Sequence, residues 1–218
     1  MPVMVKDKSS ILFVHIPKCG GSSLEQNMAE HGWQEILSVR GINAKQLKFL
    51  RCSSQHMHAE LLNEVVRLES FDKVITLVRE PLSRLKSEYA FQLSQEITDL
   101  QPEEWIEHVF DEFSKDPFAY DNHIRPQNEF LTEQSLVFKL ENDGVNKALE
   151  TIYSSFPSRK QLKYKLKSCL QLKKNKKLKE TVKTSTINDA FNRQSNVIYE
   201  FYGKDYTVLD YEKKPVSG

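Results

Sequence analysis

Cysteine, glycine and proline are all scarce in this 218-residue chain, which has 3 Cys, 7 Gly and 8 Pro. The cysteines Cys19, Cys52 and Cys169 are widely spaced. They form neither a paired disulfide framework nor metal-ligand spacing, so a reducing compartment is expected. With so few breakers there is no Gly/Pro/Ser linker, and no internal repeat is found. One domain over residues 1–218 is therefore predicted. No apolar run approaches membrane-spanning length: Ile11 to Ile16 is interrupted by His15 and followed by Pro17. Lys6 to Ser10 is polar where a signal peptide would be apolar. The expected location is cytoplasmic, although a luminal fragment cut from its anchor would read the same. Net charge is +1, too small to say anything about partners.

What is present is a chain able to bury a core. Hydrophobic residues make up 39%, which excludes disorder as the whole account. Charge is unevenly placed. Arg159 to Lys183 holds 11 basic residues and one acid, Glu180, leaving 20 basic and 29 acidic residues elsewhere. This is an acidic body with one basic segment.

Short β-rich runs, Ile11–Ile16, Lys73–Val78 and Leu136–Leu140, alternate with helical patterns. Helices are predicted after Ser23, with Leu24 and Met28 on one face, over Ala59–Leu68, Ser83–Ser94, Glu103–Lys115 and Val145–Phe156, and from Thr186 through Tyr202. Ser22 with Glu25, and Thr186 with Asp189, have capping-box spacing. Strands alternating with helices imply an α/β fold with a mostly parallel central sheet and helices on both faces. Ligands in such folds sit at the carboxyl ends of the strands, which points to the residues after Ile16 and Val78.

The first of these is Pro17-Lys-Cys-Gly-Gly-Ser-Ser23. Glycines let backbone N–H groups approach an oxyanion, a helix start adds free donors, and Lys18 adds a full charge. A plain strand-to-helix turn would need only Gly20, Gly21 and a capping serine; the lysine at the strand end favours anion binding. A Walker A loop is ruled out, because its lysine follows the second glycine. The order His15-Ile-Pro-Lys-Cys-Gly-Gly-Ser-Ser-Leu24 resembles the 5′-phosphosulfate loop of sulfotransferases that use 3′-phosphoadenosine 5′-phosphosulfate (PAPS), most of all the carbohydrate branch and its bacterial relatives. The resemblance implies a three-layer P-loop-like fold, with Lys18, Cys19, Gly20, Gly21, Ser22 and Ser23 around the 5′-phosphate.

The second strand leads into Arg79-Glu-Pro-Leu-Ser-Arg84-Leu-Lys-Ser87-Glu-Tyr89. A guanidinium leaving the sheet edge can grip a phosphate bidentately. Taken alone, the stretch is also compatible with an ordinary charged helix start. It is similar to the family's 3′-phosphate motif (Arg-x-Pro-x-x-Arg-x-x-Ser-x-Tyr), which assigns Arg79 and Ser87 to that phosphate. The family's common Asp after the arginine is Glu80 here.

Gln55-His56-Met57-His58 lies between the two motifs. Histidines at i and i+2 could ligate a metal, but no third ligand cluster of suitable spacing follows, so none is expected. The resemblance implies that the second histidine is the general base: His58 matches it, and His56 is the alternative. Imidazole suits the task because its pKa lies near the operating pH. Asp121-Asn-His123-Ile-Arg125-Pro-Gln-Asn128 is similar to the family's His-x-Arg-Pro-Gln stretch, making His123 and Arg125 acceptor-contact candidates. Thr184 and Ser185 match a segment that covers the nucleotide in relatives.

The Lys160–Lys183 run reads either as a solvated amphipathic helix or as an electrostatic funnel for an anionic acceptor or PAPS. With only Tyr164 to stack on bases, a single-stranded nucleic-acid platform is disfavoured. The stretch Glu96–Asp121, with nine acids and Lys115 alone opposing them, should repel a polyanion. The resulting expectation is a PAPS-dependent sulfotransferase acting on a carbohydrate hydroxyl and releasing 3′,5′-ADP. The rivals are a nucleotide kinase, which would need Mg²⁺-holding acids, and a basic polyanion-binding module.

Overall fold

The computed structural model describes residues 2–38, 49–156 and 184–213. The basic segment 159–183 and Cys169 lie outside the described residues, as do the side chains of Thr184 and Ser185.

Five strands form one sheet in the order β3-β1-β2-β4-β5. They are β1 (Val3–Lys6), β2 (Ser9–Val14), β3 (Gln34–Ile36), β4 (Lys73–Val78) and β5 (Ser135–Lys139). β2, β4 and β5 run parallel, while β1 is antiparallel to both β2 and β3. Four strands thus point one way and only β1 opposes them, giving the mostly parallel α/β sheet that alternation predicts. The hairpin β1–β2 and the short β3 are additions to that reading. Their hydrophobic runs are brief, and the two-residue turn at Asp7 and Lys8 has only Asp7 at positive φ.

Buried residues run without alternation through Ile11–Val14 and Val74–Val78, as both faces of these central strands are covered. Helices flank them: α1 (Gly21–Glu30), α2 (Ala59–Val65), α3 (Pro81–Ser94), α4 (Pro102–Lys115) and α5 (Gly144–Ser155). Leu24 and Met28 of α1 pack with Ala148, Leu149 and Ile152 of α5 against the strands. A second core joins Leu85 and Tyr89 of α3 to Trp105 and Val109 of α4 and to the C-terminal helices.

Those C-terminal helices differ from expectation. The predicted Thr186–Tyr202 helix is two segments, α6 (Thr184–Arg193) and α7 (Ser195–Phe201), and a further helix, α8 (Gly203–Val208), follows it. Thr186 sits inside α6 and caps nothing. At α1 the capping box also fails. The N-cap is Gly20, and Glu25 turns inward to His15, 2.5 Å from its Nδ1. A buried imidazole is a stronger partner for this carboxylate than the solvated helix end.

Candidate active site

β2, β4 and β5 deliver their carboxyl ends to one edge of the sheet, and both phosphate motifs leave from there. After β2 the chain turns through Lys18 at φ +65° and Gly20 at φ +88°. Alternating left-handed residues of this kind curl successive N–H groups around a common centre, a concavity suited to an anion. The N–H groups of Cys19 to Ser22 find no acceptor among the described residues. Ser22 and Ser23 are exposed on the first turn of α1, whose free donors add positive potential.

The two glycines are required for different reasons. Gly20 holds a left-handed conformation, and a Cβ there would also stand 2.9 Å from Leu140 Cδ1. At Gly21 a Cβ would meet the His15 ring at 2.7–2.9 Å. His15 cannot move aside, since its Nδ1 is held between Glu25 and the Gln55 amide, 3.1 Å away. Gly21→Ala is therefore expected to destabilise the fold by about 1–3 kcal/mol through overpacking. Urea unfolding measures it, and an unchanged midpoint would show that the loop relaxes freely.

Beyond β4, Glu80 caps α3. Its carboxylate accepts from the N–H groups of Leu82 (3.1 Å) and Ser83 (2.7 Å), with Pro81 at the first helical position. Burial pushes this carboxyl upward, but hydrogen bonds from Ser83, Tyr206 and Leu82 hold it below the usual carboxylate range. Glu80 thus fills the place of the family's aspartate by capping. Arg79 bends back toward the first loop, where Nη1 donates to the Lys18 carbonyl at 3.4 Å. Ser87 is half-buried in the second turn of α3.

Two residues that sequence reasoning passed over tie the motifs together. Gln127, fully buried, accepts from Arg79 N–H (2.9 Å) and from the Cys19 thiol (3.2 Å), and donates to the Arg79 carbonyl (2.7 Å). Arg84, the motif's second arginine, is only 2% exposed. Its guanidinium donates to the carbonyls of Pro17 (3.0 Å), Arg125 (2.9 Å) and His123 (2.8 Å). Asp205 in turn accepts the N–H groups of Gln127 and Asn128, both at 2.8 Å. Cys19 is a packing residue here: burial drives its thiol up to about 12, leaving its backbone to face a ligand.

The histidines gather beside this cradle. His15, His56 and His123 stand edge to face, with ring centroids 5.3 Å and 4.9 Å apart. Each has Nδ1 against a carboxylate: His15 on Glu25, His56 on Asp121 at 2.8 Å, and His123 on Glu88 at 2.7 Å. Burial pushes His56 down to about 3, against the raising effect of Asp121, so its ring is neutral at neutral pH. Phe91 links the cluster to the loop, 5.7 Å from His123 and with Lys18 Nζ 4.0 Å above its ring. Burial lowers the Lys18 pKa, with Glu88 opposing and Arg79 adding to the drop. Although burial favours its neutral form, Glu88 is held below the usual range by His123, Gln92 and Lys18.

His58 lies elsewhere. It is the N-cap residue of α2, buried against Phe118 at 5.5 Å, and its Nδ1 finds no hydrogen-bond partner. Burial, and then the nearby Arg125, lower its pKa. Arg125 is itself buried. All three of its guanidinium nitrogens donate within the chain, to Asn122 (2.9 Å), the Pro117 carbonyl (2.9 Å) and the Glu129 carboxylate. It braces the 117–129 loop instead of pointing a free guanidinium outward.

The fold also brings together His56, Asp121 and His123, whose ligand atoms fall within 4.8 Å of one another. Sequence spacing shows no third ligand beside His56 and His58, because these two partners come from 65 and 67 residues downstream of His56. The 2.8 Å between His56 Nδ1 and Asp121 Oδ2 is a hydrogen-bond length.

The gathering of a glycine-rich loop, a helix start and Arg79 at the carboxyl edge of an α/β sheet is consistent with a transferase. The model described as the sulfotransferase family matches residues 1–212, so the chain belongs to that family. No curated protein matches the chain, and no solved structure does. Among the described residues, no helix is long and apolar enough to cross a membrane.

Proposed function

We propose that this transferase moves the sulfuryl group of PAPS to a hydroxyl of a carbohydrate acceptor, in line and without a metal. The observation that carries the reading is the joining of the Lys18–Ser23 cradle to Arg79 by Gln127, and of its base at Pro17 to the His123–Arg125 stretch by Arg84, beside the His56–His123 pair. Family membership favours this reading over a kinase or a purely polyanion-binding module.

The N–H groups of Cys19 to Ser22 and the helix start would hold the 5′-phosphate, where Gly20 and Gly21 leave no Cβ in the way. Arg79, with Ser87, would take the 3′-phosphate. In the reaction the acceptor oxygen bonds to sulfur as the bond from sulfur to the phosphate oxygen breaks, leaving a sulfate ester and 3′,5′-ADP. The acceptor proton passes to a histidine. Of the two candidates, geometry favours His56: Nδ1 donates to Asp121, and Nε2 has no hydrogen-bond partner among the described residues, although burial that lowers its pKa to about 3 makes the ring a weaker base than a free imidazole. Lys18 would neutralise charge growing on the departing oxygen. Positioning and preorganised charge would supply most of the acceleration. His123, beside His56, is the acceptor-side contact that geometry favours over Arg125. Thr184 and Ser185 stay assigned to nucleotide cover by resemblance alone.

The test is nucleotide choice. 3′,5′-ADP should raise the melting temperature in the presence of EDTA, and 5′-AMP much less. Arg79→Ala should weaken 3′,5′-ADP binding by roughly 1.5–3 kcal/mol. Equal shifts by both nucleotides would remove the 3′-phosphate site. Transfer of labelled sulfate from PAPS to a panel of glycans then tests the acceptor class, and labelling of no glycan would withdraw it.

A further inference from the structure

We propose that Asp121 is a positioning residue that sets the tautomer of His56 and aims its free nitrogen, an inference that rests on His56 as the proton acceptor. The backbone supplies the first observation. Tyr120, Asp121 and Asn122 stand at φ +54°, +56° and +64°, three successive left-handed residues without a glycine among them. Such a turn is costly and persists only where its surroundings impose it.

The turn grips His56 at two points. Asp121 Oδ1 accepts the Ser53 N–H at 2.5 Å, and Oδ2 accepts from His56 Nδ1 at 2.8 Å. The next residue, Asn122, donates from Nδ2 to the His56 carbonyl at 2.8 Å, and its own Oδ1 is held by Arg125 Nε at 2.9 Å. One turn therefore fixes both the ring and the backbone of His56. Burial favours a neutral Asp121, yet His56 and Ser53 hold it below the usual carboxylate range. An ionised carboxylate only accepts, so the ring proton sits on Nδ1 and the lone pair stays on Nε2. Asp121 touches no substrate in this arrangement; it acts through the ring.

Asp121→Asn isolates the effect. Asn tolerates the left-handed conformation as Asp does. The Ser53 N–H keeps the amide oxygen on its side, which turns Nδ2 toward His56 Nδ1. That nitrogen must then accept, and the proton moves to Nε2. The expected result is a fall in kcat of roughly 10²–10⁴-fold. KM for the acceptor and the melting shift with 3′,5′-ADP should stay as in the wild type. Nitrogen NMR should move His56 from the Nδ1–H to the Nε2–H form. Full kcat with a flipped tautomer would overturn the inference while leaving His56 as base. A lost kcat with an unchanged tautomer would also overturn it. So would loss of wild-type activity to a chelator and its return with Zn²⁺, which would make Asp121 a metal ligand. If His56→Ala keeps full turnover, the base assignment itself fails, and the role of Asp121 falls with it.

Discussion

His56→Ala lowers kcat by roughly 10²–10⁴-fold while 3′,5′-ADP still raises the melting temperature as it does in the wild type. The split follows from when the ring is needed. A general base matters only as the acceptor hydroxyl loses its proton, whereas in the proposed mechanism the cradle and Arg79 hold the phosphates. Lys18→Ala should behave differently, since in the proposed mechanism its charge serves both the bound nucleotide and the growing charge at the leaving oxygen: binding and turnover should fall together. His58→Ala is the comparison that assigns the base. Its ring fills space beside Phe118 at the start of α2, so its loss should lower stability and leave turnover per folded molecule near normal. Steady-state kinetics on the three variants, normalised to folded protein, decides. A dead His58→Ala beside an active His56→Ala would move the base two residues along and return it to the position the family resemblance implies.

Arg84→Ala is expected to destabilise the protein by about 3–5 kcal/mol, because two buried carbonyls and one half-buried carbonyl lose their donor and a cavity opens beneath the loop. In a chain of this size that corresponds to a melting temperature lower by on the order of 10 °C. Arg84→Lys should recover little of it. An ammonium on a flexible stem cannot serve Pro17, His123 and Arg125 together as a planar guanidinium does. Nucleotide affinity should drop as well, since the Pro17 carbonyl anchors the strand end from which the cradle springs. Urea unfolding and titration with 3′,5′-ADP measure the two effects. A wild-type midpoint for Arg84→Ala would mean that water replaces the guanidinium without loss.

What could be read from the sequence was local. Ile11–Val14 and Lys73–Val78 declare themselves by unbroken apolar character, and each phosphate motif is contiguous along the chain. Pro81 marks the start of α3, and Gly20–Gly21 marks the cradle. What escaped depends on contacts across long separations. Asp121 lies 65 residues from His56, and Gln127 lies 48 from Arg79, so no spacing rule pairs them. Nothing in Asp121-Asn-His123 announces a left-handed turn; the surrounding hydrogen bonds impose it. Arg84 resembles a ligand-binding arginine by motif, and only its burial reveals that it holds the backbone. Glu25 shows the opposite failure, where a sound local rule, the capping box, yields to a better partner in the core.

The C-terminal helices give the molecule an order of assembly. Asp205 pins the Gln127 and Asn128 amides, the Tyr206 hydroxyl reaches the Glu80 carboxylate at 2.5 Å, and the Tyr202 hydroxyl holds the Ile124 carbonyl at 2.8 Å. The first loop, Arg79 and the 117–129 loop all come from earlier in the chain, yet residues 202–206 brace the groups beside them. During synthesis, a polypeptide still short of Tyr202 has made the cradle together with Gln127 and Arg84, but lacks the contacts that pin the Gln127 and Asn128 amides and the Glu80 carboxylate. The braces on the first loop and on α3 therefore close only after residues 202–206 have been made, later than every element they hold.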